Sequence, residues 1–557
     1  MRRTPWRAAL PIALWIATGW GLGPQAGPRC AQADDADPDD PPAGPALAPA
    51  DAAKAKAAFD EALALQERGQ YATARKRFRA FLEAWPGADR ALRQEADERS
   101  AENSFLGIEE VRHGGKSENR IDVELMGDGY LLTQQDKFKK HAEQQMVAFW
   151  AEPLYDEYAS YFNLWRFDLA SKEEGVDDPG TGPQDAPPPT PPPQPPKRGK
   201  PVKTRKIHEY STALNCQAAG PQRQVWADPE MVFKWRKYLK VSDGLSLCFA
   251  KKGELGMGGM GIATTGRMVA VVHELGHAFI GLLDEYAINS EPPVGRISAA
   301  NAVSGRGPKE PPLPAAIPWR HWLQAQNPDV GVLLGGATYQ LGVWRPAATC
   351  AMNSGGGSPY CWVCREAGVL RIYDYVSPID EAAPADSTVN LAEGAKAEFS
   401  VVPMEPKTHK LDVAWFFERL KSKVATRGDD DEDPQPRPTG AEPPPPAGEE
   451  PLPRLTPDGK SRGPVRGYHR HADPWPPGDP RGEELHATEK RSGGVRKSTV
   501  VLEGLTTGRY RLTARVRDDA KIPGFKWPWV IKDPDKILEE RREWLVVVGG
   551  DAPAKPK

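Results

Sequence analysis

The sequence has no surplus of charge of either sign. Its 73 lysines and arginines face 76 aspartates and glutamates, leaving a net charge of -3 over 557 residues. Phosphate binding draws its affinity from an excess of cations, so a nucleic-acid partner is not expected. Beyond the amino terminus the chain lacks any run long and apolar enough to cross a bilayer, which excludes an integral span in the mature protein. Histidine is scarce, at 10 residues, and so is cysteine, at 6. A third absence bears on chemistry. Between Glu310 and Glu366 there is no glutamate at all, and prolines and glycines break the intervening region.

What is abundant is proline and glycine, with 58 and 53 residues. A chain this long exceeds one compact core, and this composition fits folded domains separated by extended segments. The start "MRRTPWR", the apolar run "AALPIALWIATGWGLG" and the small-residue "AQA" form a signal peptide, residues 1–33, with cleavage after Ala33. The protein is therefore expected to be exported: secreted, periplasmic or on the cell surface. Cleavage would remove Cys30, and the remaining cysteines of an exported chain are expected to form one or two disulfides.

Residues 34–52 read as a disordered acidic spacer, and residues 53–110 as a helical hairpin. The hairpin places Ala62, Leu65, Gly69, Tyr71, Ala74, Phe78 and Pro86 in a tetratricopeptide-like pattern. One such unit cannot bury its own face, so it should dock on the neighbouring domain or on a protein partner.

Residues 118–377 form the next domain. "NRIDVELMGDGYLL" and "FNLWRFDLAS" read as strands flanking a helix, which predicts a parallel pair. A polyproline insertion, 178–206, interrupts this domain. "GLSLCFA" is a further strand, and the glycine-rich "GELGMGGMGIATTG" a rim loop or bulged edge strand. After Ser377, alternating segments such as "KLDVAWFFERL" and "GRYRLTARVRD" predict an immunoglobulin-like β-sandwich over 385–550. A disordered insertion, 427–496, is expected within it, and 551–557 form a tail. The fold class is multidomain α+β.

The chemistry concentrates in "GRMVAVVHELGHAFIGLLDEYA", whose stretch "GRMVAVVHELGHAFIGLL" reads as a helix with one strongly apolar side. His273 and His277 are four residues apart, so both imidazoles leave one helix face a turn apart and can share a metal. Glu274, about 100° around the helix, can reach a water on that metal and take its proton as general base. The cofactor expected is zinc.

The missing glutamates weaken the class of zinc peptidase whose third ligand is a later glutamate. In the class HExxHxxGxxH the helix ends at the glycine and the chain turns back with the ligand. Here Gly281 comes one residue late and Asp284 stands where the last histidine would be. On a straight helix Asp284 would lie ~10 Å further along the axis, so it can serve only if the helix breaks at Gly281. His321 and Glu285 are the rival third ligands. Tyr286 and Tyr360 are candidates for stabilising an oxyanion.

"VHELGHAFIGLLDEYA", "YQLGVWRPAATCAMNSGGGSPYCWVCREAG" and "IDVELMGDGYLLTQQDKF" together resemble the IgA-peptidase family of secreted zinc metallopeptidases, over roughly residues 120 to 376. The resemblance implies a metzincin-like α/β catalytic domain with its cleft under an edge strand. It likens Met352 to the methionine turn beneath the zinc. Cys350, Cys361 and Cys364 flank that turn; a disulfide locking it is the simpler expectation, a second metal site the other.

The function expected is zinc-dependent endopeptidase action on a protein or peptide, by Glu274-assisted attack of zinc-bound water. "GLSLCFA", if it is the edge of the cleft, would hold the substrate extended. The alternatives are a non-catalytic surface or periplasmic interaction protein on the same scaffold, and zinc hydrolysis of a non-peptide amide.

Overall fold

A computed structural model describes residues 47–177, 209–219, 224–252, 256–267, 270–354, 357–420 and 482–549. The expected signal peptide 1–33, insertion 178–206 and tail 551–557 lie outside the described residues. The chain is a mixture of helices and several sheets, divided into two compact units, Met1–Ile372 and Tyr373–Lys557. Among the described residues no helix is long and apolar enough to cross a membrane.

The first unit opens with three helices, α1 (Pro49–Glu67), α2 (Tyr71–Ala84) and α3 (Arg90–Ser100). The last residues of the spacer expected to 52 are therefore already part of α1. Phe59 meets Phe78 and Phe81 edge to face, at 5.4 and 5.7 Å. Asp89 caps α3 by accepting from the Ala91 and Leu92 N–H groups.

The expected hairpin does not run to 110. Its last residues belong to β1 (Ser104–Arg112), a strand of the main sheet, where Phe105 buries its ring against Tyr238 at 3.9 Å. The helices dock on that sheet. The Gln66 amide donates to the Phe105 carbonyl at 3.0 Å, and Lys237 pairs with Glu98 at 2.5 Å.

The main sheet also contains β2 (Ile121–Asp128), β3 (Phe162–Ala170), β4 (Leu245–Ala250), β5 (Met257–Gly259) and β6 (Ile262–Thr265), in the order β1-β3-β2-β4-β6-β5. The run β3-β2-β4-β6 is parallel, and the two outer strands are antiparallel. α4 (Gln135–Ala151) makes the expected crossover between β2 and β3. β2 is buried throughout, as a strand deep in a parallel sheet must be.

The acidic residues of β2 are correspondingly partnered. Asp122 accepts from Trp165 Nε1 at 2.7 Å, and Glu124 from Arg236 of α5 (Pro229–Arg236) at 2.9 Å. Asp128 accepts from the Leu214 and Cys216 N–H groups. These contacts fix the sheet whose far edge carries the site.

The second unit contains a four-stranded and a five-stranded sheet. Trp415 and Trp544 of the larger sheet stack at 5.8 Å; Trp544 also meets Phe399 of the smaller sheet at 5.5 Å. Trp415 Nε1 donates to Ser498 of the smaller sheet at 3.0 Å, so the two sheets face each other. The insertion expected to 496 is shorter than that, because Glu483–Leu485 and Thr488–Ser492 are strands and a third begins at Val495.

Candidate metal centre

The helix read over 266–283 is shorter in the structure. α6 covers Val271–Leu275, a π turn covers Gly276–Ile280, and the helix ends there. His273 leaves α6 and His277 the π turn, with ring centroids 4.8 Å apart. Gly281 follows in the left-handed region, at φ 80°. Nothing lies within 4 Å of where its Cβ would stand, so the position asks for backbone freedom rather than space. The Leu282 N–H reaches back to the Gly276 carbonyl at 2.9 Å. A π turn holds one residue more than an α turn. It thereby absorbs the residue by which Gly281 lies beyond the usual HExxHxxG spacing.

After that reversal, Asp284 Oδ1 lies 3.0 Å from His273 Nε2 and 3.2 Å from His277 Nε2, while the two Nε2 atoms are 3.2 Å apart. The three donors form a nearly equilateral triangle. Its centre is about 1.8 Å from each corner, so the triangle is small enough for all three donors to reach one zinc at the usual bond lengths of about 2.0–2.1 Å. Both Nδ1 atoms face backbone carbonyls, His273 that of Ala351 at 2.9 Å and His277 that of Leu282 at 2.7 Å. Each Nδ1–H donates there, so Nε2 is the ring atom turned to Asp284 and the one that, once deprotonated, would ligate a metal. Two imidazole nitrogens and one carboxylate oxygen are a donor set that fits zinc.

The electrostatics follow from the crowding. Burial alone would raise the Asp284 carboxyl, but hydrogen bonds from His273 and His277 outweigh it and hold the group well below the usual carboxylate range. Burial likewise would lower both histidines, and Asp284 raises them instead. Glu274 has no such partner, and burial pushes its carboxyl up to about 8, with His273 opposing.

The strand beside this turn is β5. A Cβ at Gly258 would lie 2.1 Å from the Glu274 carbonyl oxygen, and one at Gly256 would lie 2.8 Å from Glu274 Oε1. The glycines of "GMGGMG" are thus what lets the strand approach the motif. The expectation that "GLSLCFA" forms the edge of the cleft is corrected: β4 lies between β2 and β6, and its six residues are all buried.

Met352 is buried, and its sulfur would be 2.3 Å from a Cβ at Gly276. It therefore packs directly under the π turn. Its carbonyl accepts from the Glu285 N–H at 2.7 Å. Of the two tyrosines, Tyr286 stacks beside His273 at 6.1 Å and hydrogen-bonds Asp284. Tyr360 is buried and donates to the Val272 carbonyl at 2.6 Å, so it is not placed to meet a substrate. The rival ligands lie elsewhere. His321 pairs with Glu366 at 2.5 Å, and the Glu285 carboxylate joins the cysteines.

Asn301 escaped the sequence reading. Buried, it accepts from the Leu283 N–H at 3.0 Å and donates to the Leu283 carbonyl at 2.7 Å, fixing the residue before Asp284. No local signal marks it, because its partner lies 18 residues away.

The disulfide expectation is corrected. Cys350 and Cys364 hold their sulfurs 3.7 Å apart, beyond the ~2.05 Å of a bond, so the two are not joined as a disulfide.

Two groups among the described residues could hold a metal: His273 with His277 and Asp284, and Glu285 with Cys350, Cys361 and Cys364. Among curated proteins, none matches the chain. A family model does match, over residues 109–187, which carry the end of β1, β2, α4 and β3 and stop short of the histidines. That model is IgA Peptidase M64, and its match supports the resemblance to the IgA-peptidase family that the motifs carry.

Proposed function

We propose that the chain is an exported zinc-dependent endopeptidase, with His273, His277 and Asp284 holding the metal and Glu274 acting as general base. One observation carries the reading. Three donor atoms from a helix, a π turn and the segment after Gly281 converge within 3.2 Å of one another, with both Nδ1 atoms already committed. When bound, zinc supplies Lewis acidity to a water and to a peptide carbonyl at this point.

The chain's own residues supply the rest. Glu274 takes the proton from the attacking water and delivers it to the leaving amine. Burial holds its carboxyl up near 8, and with a cation held by His273, His277 and Asp284 it would fall toward the range of a working base. Tyr286, beside His273, is positioned to donate to the developing oxyanion. β5, the free edge of the sheet beside Glu274, can pair with a substrate held extended.

The parallel sheet with an antiparallel edge strand over the motif, and Met352 beneath it, support a metzincin-like catalytic domain. The first helices are read as tetratricopeptide-like and the second unit as immunoglobulin-like, with the helices a candidate surface for a protein partner.

The test is to purify residues 34–557, count bound zinc, and compare cleavage of an unfolded protein by wild type and Glu274→Ala. Zinc without cleavage over a broad substrate panel would favour an interaction protein. Cleavage that survives the substitution would sink the mechanism.

A further inference from the structure

Behind the candidate metal centre, a second set of donors converges. Cys364 Sγ lies 3.1 Å from Glu285 Oε1, Cys361 Sγ 3.8 Å from the same oxygen, and Cys350 Sγ 3.7 Å from Cys364 Sγ. All four donor atoms lie within 4.8 Å of one another. They come from separate places: the segment after Gly281, the residue before the Ala351–Ser354 helix, and the start of the Trp362–Tyr375 helix.

Sulfurs 3.7 Å apart are too far for a bond, and the distance has another natural meaning. In a tetrahedron with zinc–sulfur bonds of about 2.3 Å, the sulfur–sulfur edge is about 3.8 Å and the sulfur–oxygen edge about 3.6 Å. The Cys350–Cys364 separation of 3.7 Å matches the first edge, and the Cys364–Glu285 and Cys361–Glu285 separations of 3.1 and 3.8 Å lie on either side of the second.

The surroundings suit a cation. Cys350, Cys364 and Glu285 are fully buried. Glu285 Oε1 accepts from Asn301 at 3.1 Å, but Oε2 has no hydrogen-bond partner. A buried carboxylate oxygen left so is costly, and a coordinated dication removes the cost. The Cys361 N–H points at Cys350 Sγ at 3.4 Å, an interaction that favours a thiolate over a thiol. Cys361 and Cys364 open a 14-residue helix, whose N-terminal end favours negative sulfur. Their spacing, two residues between cysteines at a helix start, is the spacing of zinc-binding pairs.

We propose that Glu285, Cys350, Cys361 and Cys364 hold a second divalent metal, zinc by its donor class, in a closed structural site. Four protein donors leave no open position, so this site performs no chemistry. Its role is to fix two neighbours of the first centre. Glu285 follows Asp284 in the chain, and Cys350 precedes Ala351, whose carbonyl holds His273 Nδ1. Binding releases the thiol protons to solvent and forms no sulfur–sulfur bond. The assignment is independent of the one made for His273, His277 and Asp284.

The experiment uses the full chain purified without oxygen in the presence of zinc. Wild type should carry two zinc ions per chain, and His273→Ala/His277→Ala should keep one. Because the cysteine variants could fail to fold, the decisive reading is spectroscopic. The His273→Ala/His277→Ala protein, loaded with cobalt(II) alone, should show sulfur-to-cobalt charge-transfer absorption in the near ultraviolet. Cys361→Ser/Cys364→Ser in that background should abolish it. A single zinc that survives loss of both histidines, with the cobalt-loaded form showing this absorption, would uphold the cysteine site while removing the catalytic one. Absence of the absorption would overturn the proposal, as would a Cys350–Cys364 disulfide in the denatured, unreduced chain.

Discussion

Asp284 and Glu285 are consecutive residues whose carboxylates enter different clusters. Asp284 Oδ1 lies 3.0 Å from His273 Nε2, and Glu285 Oε1 lies 3.1 Å from Cys364 Sγ. The two residues lie after the helix and before the strand Ala287–Asn289, where no helical turn holds successive side chains to one face. The backbone here is held on both sides. The Ala337 N–H donates to the Asp284 carbonyl at 2.6 Å, and the Glu285 N–H to the Met352 carbonyl at 2.7 Å. One short segment thus ties the histidine turn to the cysteine-rich turn.

Glu274→Gln keeps the shape of the side chain and removes the base. Cleavage of an unfolded protein should fall by about 10²–10⁴-fold. Bound zinc should be unchanged, because the three proposed ligands remain. Metal counting beside the rate assay separates this outcome from simple loss of metal.

Gly281→Ala and Gly258→Ala should fail in different ways. At Gly281 the new methyl meets nothing, so the expected cost is that of a left-handed alanine, about 1–2 kcal/mol, read from a denaturant midpoint. At Gly258 the methyl would sit 2.1 Å from the Glu274 carbonyl oxygen, so β5 must move away from the motif. That variant should lose far more activity than the stability change explains. Equal activity losses in the two would contradict the placement of β5.

Asn301→Ala should weaken zinc binding by about 10–100-fold, the usual cost of removing an outer partner that orients a ligand. The side chain touches neither the histidines nor Asp284's carboxylate in the contacts described above. It fixes Leu283, and through it the position of Asp284. Competition with a chromogenic chelator measures the effect. Unchanged affinity would mean the Gly281 turn alone sets the ligand.

Much of this was readable from local pattern. The spacing of His273 and His277 determines their shared face, and the period-two runs of the second unit become strands because half-buried strands demand that alternation. The parallel β2–β3 pair follows from strand, helix, strand. The misses share one cause, that sequence order is not spatial order. "GLSLCFA" lies in the middle of the sheet because a later strand, β6, inserts beside it, and the glycines of β5 then become the edge. His321 is occupied by Glu366, 45 residues away, and Asn301 acts on a loop 18 residues earlier. The π turn shows the same limit at short range. An extra residue before Gly281 is visible in the sequence, but whether it widens a turn or shifts the register depends on what the turn packs against, here Met352.

The second unit offers a pH test separate from any metal. Asp518 is buried and accepts from the Tyr373 hydroxyl at 2.7 Å, the Ala520 N–H at 2.6 Å and His409 Nε2 at 2.8 Å. Burial alone would raise its carboxyl, but the hydrogen bond and charge of His409, with the other donors, hold it below the ordinary value. A carboxyl depressed in the folded state binds its proton less readily there than in the unfolded chain. Its contribution to stability is therefore present above the unfolded value of about 3.9 and is lost as pH falls through the folded one. The thermal midpoint of the second unit in wild type should exceed that of Asp518→Asn at pH 7, and the gap should close as pH drops below about 4. A gap that stays constant across that range would mean that Asp518 acts through its shape and hydrogen bonds alone, with no contribution from its charge.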